Sequence, residues 1–179
     1  MDRFGEIFRS EKRVVGMLHV PALPGAPESS MGLGVVREFV LRDAEALAAG
    51  GVDALMIENF GDVPLYPDQV PPHTVAQMAV LAAEVKQRFP LPLGVNVLRN
   101  DGVAAIAVAA AAGAEFVRVN VYTGARVADQ GILQGRAHEI QRYRRSLGCE
   151  AMVFADVAVK HSAALGERGL AFVDAPVGR

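Results

Sequence analysis

Five short apolar segments, each separated from the next by a longer stretch with helical spacing, constrain the fold of this chain most. The segments are rich in Val, Ile and Leu and predict strands over 14–20, 54–58, 93–98, 116–121 and 151–157. The stretches between them predict helices over 35–49, 74–89, 101–112 and 131–147. Such alternation is typical of parallel strands connected by crossover helices. The sequence therefore predicts an α/β fold of about five βα units.

The composition is that of a globular protein. Of the 179 residues, 51% are hydrophobic and 21% are charged, and a chain of this length buries roughly 70% of its unfolded surface without disulfides or metals. We therefore expect residues 1–179 to form a single domain. The one cysteine, Cys149, cannot form an internal disulfide, which favours the cytoplasm. The longest apolar run, 103–114, is too short to span a membrane.

Charge and motifs exclude several classes of ligand. The formal net charge is −2, which argues against non-specific binding of nucleic acid. The arginines within 136–145 have the spacing of a solvated helix face. The glycines within 25–34 match neither a dinucleotide fingerprint nor a P-loop, so the sequence identifies no cofactor.

Polar residues end the inward row of every predicted strand. Side chains alternate along a strand, so the row that faces away from the helices closes, in chain order, with His19, Glu58, Asn96, Asn120 and Asp156. Burying an unpaired polar group costs several kcal/mol. This convergence favours a ligand site at the carboxyl ends of the strands, where parallel α/β proteins place their sites. A hydrogen-bonded plug is the alternative.

Three of these polar residues, and Lys160 just beyond the fifth strand, have predicted catalytic roles. Glu58 and Asp156 act as general acid and base if burial and neighbours push their pKa values apart. Lys160 stabilises an anion or serves as an electrophile, and His19 moves protons near neutral pH. The residues assigned to substrate binding lie at or just after strand ends. They are Asn59, Asn96, Arg99, Asn100, Asp101, Arg118, Asn120 and His161. For Asp101, helix capping is an equal alternative.

A divalent metal is the competing interpretation of this set. Glu58 and Asp156, with His19 or His161, would offer hard ligands. No tight spacing of these residues in the chain supports such a site, and we assign no metal.

Four long, ordered motifs connect the chain to a known family. ENFGDVP, GVNVLRND, FVRVNVYTGA and ADVAVKHS resemble the BtpA family, which also contains the SgcQ proteins, and the likeness covers roughly residues 14–168. The resemblance implies a TIM-type (β/α) barrel of the ribulose-phosphate-binding group. A role in accumulation of photosystem I is attributed to photosynthetic members. Other members are labelled as similar to phosphoribosylanthranilate isomerase on fold similarity alone.

The resemblance also implies that part of the barrel is absent. A complete (β/α)₈ barrel typically needs about 250 residues, whereas the likeness ends near Arg168 and 169–179 form an atypical tail. Three explanations stay open. The chain is a truncated or frameshifted product, a fragment that a partner chain completes, or an open five-stranded sheet. We favour the first. Unsatisfied strand edges predict self-association or binding of a hydrophobic dye.

These inferences lead to two functional expectations. The first is a barrel protein of enzyme-like design that binds a small, polar, phosphorylated and sugar-like metabolite and performs isomerase or lyase chemistry by proton transfer. The second is a non-catalytic assembly or stability factor for photosystem I or another complex. The sequence leaves open whether the chain is an enzyme.

Overall fold

The computed structural model describes residues 3–8 and 12–166. The helices are α1 (Arg3–Ile7), α2 (Leu33–Ala49), α3 (Pro72–Arg88), α4 (Gly102–Ala112) and α5 (Ala137–Ser146). The strands are β1 (Val15–His19), β2 (Ala54–Glu58), β3 (Leu93–Asn96), β4 (Phe116–Val119), β5 (Ala125–Ala128), β6 (Gly131–Gln134), β7 (Met152–Ala155) and β8 (Ser162–Ala164). The predicted tail at 169–179 lies outside the described residues.

The main sheet contains the five predicted strands, all parallel. Its order is β1-β2-β3-β4-β7, so strands that follow each other in the predicted βα units are neighbours. Each strand begins and ends within two residues of its predicted limits. The expected α/β architecture is therefore confirmed at the level of a five-stranded parallel sheet with connecting helices, and β1 and β7 are its edge strands.

One face of the main sheet is covered by helices. Alternate strand residues such as Leu18, Ile57, Val95 and Val117 are buried against the inward sides of α2, α3 and α4. Burial of an aliphatic side chain of this size contributes roughly 1.5–3 kcal/mol. This layer fixes the strand register and hence the side chains that project on the other face.

The opposite face, which we call the inner face, carries a separate apolar cluster. It includes Met56, Phe116 and Phe154. Phe4 of helix α1 and Phe8, which directly follows the helix, pack on this cluster, and the Phe8 ring centroid lies 5.8 Å from that of Phe116. Both faces are thus covered at the centre of the sheet, which explains why all five residues of β2 are buried.

Gly94 in β3 makes room for an aromatic ring on the inner face. A Cβ atom at this position would lie 2.0 Å from Cε2 of Phe116. The alternation of side chains predicts that both residues point inward, and the contact shows that they do. The absence of a side chain at residue 94 is therefore a packing requirement.

The helix predicted over 131–147 is wrong in its first six residues. Residues 131–134 form β6, which pairs with β5 as an antiparallel hairpin, and α5 begins only at Ala137. Gly135 approaches the chain so closely that a Cβ atom would lie 2.5 Å from Cα of Thr123. Strand β8 pairs with the other side of β5 and completes a second, three-stranded sheet.

The structure also answers whether any helix could cross a membrane. Across residues 3–8 and 12–166, each helix is too short or too polar to span a bilayer.

Candidate functional site

The carboxyl end of the inner face brings six predicted residues into one hydrogen-bonded and ion-paired network. We call it the polar cluster. Its members are His19, Glu58, Asn96, Arg118, Asn120 and Asp156. Parallel pairing places Glu58 directly beside His19 on one side and Asn96 on the other. The strand register therefore assembles residues that are far apart in the chain.

Asp156 anchors one half of the polar cluster. Its two carboxylate oxygens accept hydrogen bonds from Nε and Nη2 of Arg118 at 2.9 and 2.8 Å. Oδ2 also accepts a bond of 3.0 Å from Nδ2 of Asn120. Paired, charge-assisted bonds of this kind fix the guanidinium plane as well as its position.

Glu58 anchors the other half and is only 4% exposed. Its Oε2 accepts a hydrogen bond of 2.5 Å from Nδ2 of Asn96 and lies 3.6 Å from Nη1 of Arg118. Its Oε1 lies 3.6 Å from Nε2 of His19. Arg118 thus bridges the two carboxylates.

The electrostatics of the bridge are dominated by Asp156. Its hydrogen bonds raise the pKa of the Arg118 guanidinium above the ordinary value, burial opposes this, and the charges of Asp156 and Glu58 add to the increase. Arg118 is therefore a permanent cation placed between the two carboxyl groups.

Asn120 has one polar atom that the protein leaves unused. The residue is 2% exposed, its Nδ2 is bonded to Asp156, and its buried Oδ1 has no hydrogen-bond partner. A buried acceptor without a donor costs about 1–3 kcal/mol. A fully hydrogen-bonded plug would not leave such an atom without a donor.

Two predicted binding residues, Asn59 and Asn100, use their side-chain polar atoms to hydrogen-bond the backbone. Asn59 Oδ1 accepts from the Leu98 amide at 2.7 Å. Asn100 donates to the carbonyl oxygens of Val121 and Gln134, each at 3.1 Å, and its Oδ1 accepts from the Val121 amide. These contacts tie strand ends and loops together, and they lie outside the polar cluster.

Asp101 also stabilises the backbone. Oδ1 accepts from the Ala104 amide at 2.9 Å and caps the first turn of α4. Oδ2 accepts from the Val70 amide at 2.9 Å. The capping alternative describes what Asp101 does in this structure.

The remaining three predicted site residues lie beside the second sheet. Arg99 donates from Nη2 to the carbonyl oxygen of Lys160 at 2.9 Å. Lys160 and His161 form the turn between β7 and β8, and both are exposed. The structure does not connect these three to the polar cluster.

An aromatic contact that the sequence analysis missed positions His19. The imidazole stacks on the ring of Phe60 with a centroid distance of 4.4 Å. The signal in the sequence is the motif ENF, which places Phe60 two residues after Glu58. Phe60 holds the imidazole near Glu58 although the His19 side chain is 49% exposed.

A cavity of about 300 Å³ lies away from the polar cluster. The loops that follow β1 and β2 and the first turn of α3 form its walls, with His73 and Tyr66 among the lining residues. Of the predicted site residues, Asn59 lines it. The described residues contain no group of three or more His, Cys, Asp or Glu side chains arranged to hold a metal ion.

Comparison with known proteins decides the family. The family model described as "BtpA family" matches residues 10–175. The chain belongs to the BtpA family. The match runs to residue 175, past Arg168, where we expected the likeness to end.

Curated relatives of the chain include archaeal and bacterial proteins. The chain is 49% identical over 152 residues to an uncharacterised protein of Archaeoglobus fulgidus, covering 85% of this chain and 61% of the relative. It is 42% identical over 170 residues to the photosystem I biogenesis protein BtpA of Synechocystis, covering 95% and 59%. The chain thus spans about three fifths of the length of these curated relatives. No solved structure matches it significantly.

Proposed function

We propose that the polar cluster binds a small polar metabolite and supports proton transfer, as in an isomerase or lyase. The observation that carries the proposal is the bridge of Arg118 between two carboxylates, Glu58 and Asp156, next to the unpartnered Oδ1 of Asn120. Carboxylates, an imidazole and an oriented guanidinium are the groups that general acid and base catalysis uses.

Within this proposal the residues have separate tasks. Glu58 exchanges a proton with the ligand, and His19, 3.6 Å from Oε1, relays it to solvent through its exposed edge. Asp156 is the second carboxylate of the acid and base pair and fixes Arg118. Asn96 and Asn120 orient the ligand, and Lys160, in the exposed turn after β7, supplies a positive charge from outside the cluster.

The proposal extends to the whole protein. We propose that the five βα units belong to a TIM-type barrel of the ribulose-phosphate-binding group and act in the cytoplasm. The metabolite is then sugar-like and phosphorylated, and its phosphate is held by loops beyond strand five, because barrels of this type commonly bind phosphate after strands seven and eight.

A ligand screen by thermal shift tests the site. Wild type, Glu58→Gln and Asp156→Asn are screened against the same library of phosphorylated and unphosphorylated sugars. Asp53→Asn is the matched control. This carboxylate accepts a hydrogen bond from the Val14 amide at the amino end of β2, the end of the strand opposite Glu58. We expect a ligand that raises the melting temperature of wild type and the control but not of the two site variants. An unchanged response in both site variants removes the assignment.

The second candidate is an assembly factor. It is favoured by the 42% identity to the photosystem I biogenesis protein of Synechocystis, and the edge strands β1 and β7 offer backbone groups to a partner or a second copy. Incubation of the tagged chain with Synechocystis lysate distinguishes the candidates. Specific retention of photosystem I subunits, with no saturable small ligand, would favour assembly over catalysis.

A further inference from the structure

The cavity of about 300 Å³ beside the loops after β1 and β2 has a wall that carries negative charge. Among the described residues that line it, Asp62 is the acidic one, and none is Lys or Arg. Most of the other lining residues are apolar, and they include Pro27, Leu65 and Leu98. None of them belongs to the polar cluster, so this cavity is a second, separate candidate site.

Asp62 carries its charge without a cation beside it. Its Oδ1 accepts a hydrogen bond from the Leu23 amide at 2.8 Å, and its Oδ2 accepts one from Nδ2 of Asn59 at 3.1 Å. Both donors are neutral, and within the described residues Asp62 forms no ion pair. Each carboxylate oxygen has about two acceptor positions, so both keep capacity for a further donor. A part-buried carboxylate of this kind is stabilised when a cation binds next to it.

Two neighbouring side chains suit the same cation. The ring of Tyr66 lines the cavity, and an aromatic ring attracts a positive charge that approaches its face. Thr74 also lines the cavity and is 6% exposed, and its hydroxyl oxygen can accept a hydrogen bond. An ammonium group thus finds acceptors for its N–H groups and a charge partner in Asp62, while an apolar body contacts the remaining walls.

The start of α3 is the feature that would favour an anion instead. The helix begins at Pro72, beside the cavity, and no side chain caps it. A helix N-terminus carries about half a positive elementary charge, and His73 in the same turn adds charge only when it is protonated. The carboxylate of Asp62 carries a full negative charge, and like charges in a part-buried site repel strongly. The balance of the walls therefore disfavours an anion.

We propose that this cavity binds the ammonium head of a small amine with an apolar body, and that Asp62 selects the positive charge. The inference is independent of the proposed function, because the polar cluster contributes no residue to this cavity. It assigns the chain a second ligand class.

Titration of the isotope-labelled chain followed by nuclear magnetic resonance tests the inference. The probes are benzylammonium, benzyl alcohol and benzoate, which share a ring and differ in charge. They are compared at equal ionic strength and at about pH 8, where an ordinary imidazole is neutral. The signals to follow are the Leu23 amide and the Asn59 side-chain amide, because both bond Asp62.

We expect benzylammonium to shift both signals in a saturable way and to bind more tightly than benzyl alcohol, and benzoate to shift neither signal. Benzyl alcohol or benzoate binding at least as tightly as benzylammonium overturns the inference. Silence of both signals with all three probes also overturns it.

Asp62→Asn isolates the selecting charge and keeps an oxygen for the Leu23 amide. We expect its affinity for benzylammonium to fall by about tenfold, the equivalent of about 1.5 kcal/mol for a hydrogen bond to a charged group. Its affinity for benzyl alcohol should stay within about twofold of wild type. Asp53→Asn makes the same change outside the cavity and should bind as wild type does. An unchanged ratio of the two affinities in Asp62→Asn contradicts the assignment.

Tyr66→Leu provides the answer if Asp62→Asn does not fold. The Tyr66 side chain is 53% exposed, so its replacement leaves the core intact, and Leu keeps an apolar group on the wall. Loss of the ring should lower the ratio of benzylammonium to benzyl alcohol affinity by about twofold or more. An unchanged ratio in this variant overturns the inference.

Discussion

Arg118 and Asp156 form a two-pronged ion pair, with Nε and Nη2 of the guanidinium 2.9 and 2.8 Å from the two carboxylate oxygens. The pair joins β4 to the end of β7, and it positions the guanidinium so that Nη1 reaches toward Glu58 at 3.6 Å. One side chain therefore organises both carboxylates of the polar cluster.

The first prediction concerns this pair. Arg118→Met leaves the carboxylates of Asp156 and Glu58 without their cation. We expect the free energy of unfolding to fall by about 2 kcal/mol. This loss is smaller than for a fully buried pair because the Arg118 side chain is 33% exposed. Urea denaturation of Arg118→Met, Asp156→Asn and the double variant measures the coupling. Additive losses would show that the two residues do not act together.

The second prediction concerns the inner face. Gly94→Ala would drive a methyl group into the Phe116 ring, and overpacking of this kind costs about 1–3 kcal/mol. Adding Phe116→Leu to Gly94→Ala should recover part of the loss, because the smaller side chain vacates the space. Denaturation curves of the single and double variants check this, and a double variant no more stable than Gly94→Ala would contradict the packing described.

The third prediction separates scaffold from site. Asp101→Ala removes the α4 cap and the tether of the Val70 amide, and we expect a loss of about 1–2 kcal/mol. Asp101→Asn keeps an oxygen for the cap but not a second one for Val70, so its stability should lie between wild type and Asp101→Ala. Wild-type stability of Asp101→Ala would show that neither bond matters.

The fourth prediction concerns acid stability. Hydrogen bonds from Arg37 lower the pKa of Glu84 below its ordinary 4.5, with help from the charges of Arg37 and Arg88 and against burial. The carboxylate therefore stabilises the fold above pH 4.5, and this contribution is lost as the pH falls through the lower pKa of the folded state.

Replacement of Glu84 makes that contribution measurable. Glu84→Gln should slightly lower the free energy of unfolding at pH 7. Between pH 4.5 and pH 2, this variant should lose less stability than wild type does. Urea denaturation across this pH range measures both effects. Glu45→Gln on the exposed side of α2 is the control and should keep the wild-type acid profile. A Glu84→Gln profile parallel to wild type would show that the ion pair contributes nothing.

The main sheet and most of the polar cluster could be predicted from the sequence because both depend on local alternation. Once β2, β3 and β4 are recognised, parallel pairing directs Glu58, Asn96 and Asn120 to one end of the sheet. Which residues remain in the cluster depends on contacts distant in the chain. The sequence could not predict that Asn100 lies outside the polar cluster, because its hydrogen-bond partners Val121 and Gln134 come together only in the folded chain.

The second sheet was missed for a related reason. The helix predicted over 131–147 includes residues 131–136, whereas only Ala137–Ser146 are helical. Gly131 has a φ of 101°, and Gly135 fits only where the backbone passes Thr123 closely. Helix α1 was not predicted because five residues carry too little periodicity, although Phe4 and Phe8 pack in the same apolar cluster.

The most direct test of the central claim replaces five of the six residues of the polar cluster, all except His19, by apolar residues of similar size and measures the free energy of unfolding. The variant carries Glu58→Met, Asn96→Leu, Arg118→Met, Asn120→Leu and Asp156→Leu. Buried ionic networks are often no more stable than well-packed apolar replacements. We predict that this variant folds with stability equal to or above that of wild type and loses every ligand response. A variant less stable by more than about 2 kcal/mol would instead identify the polar cluster as a structural plug.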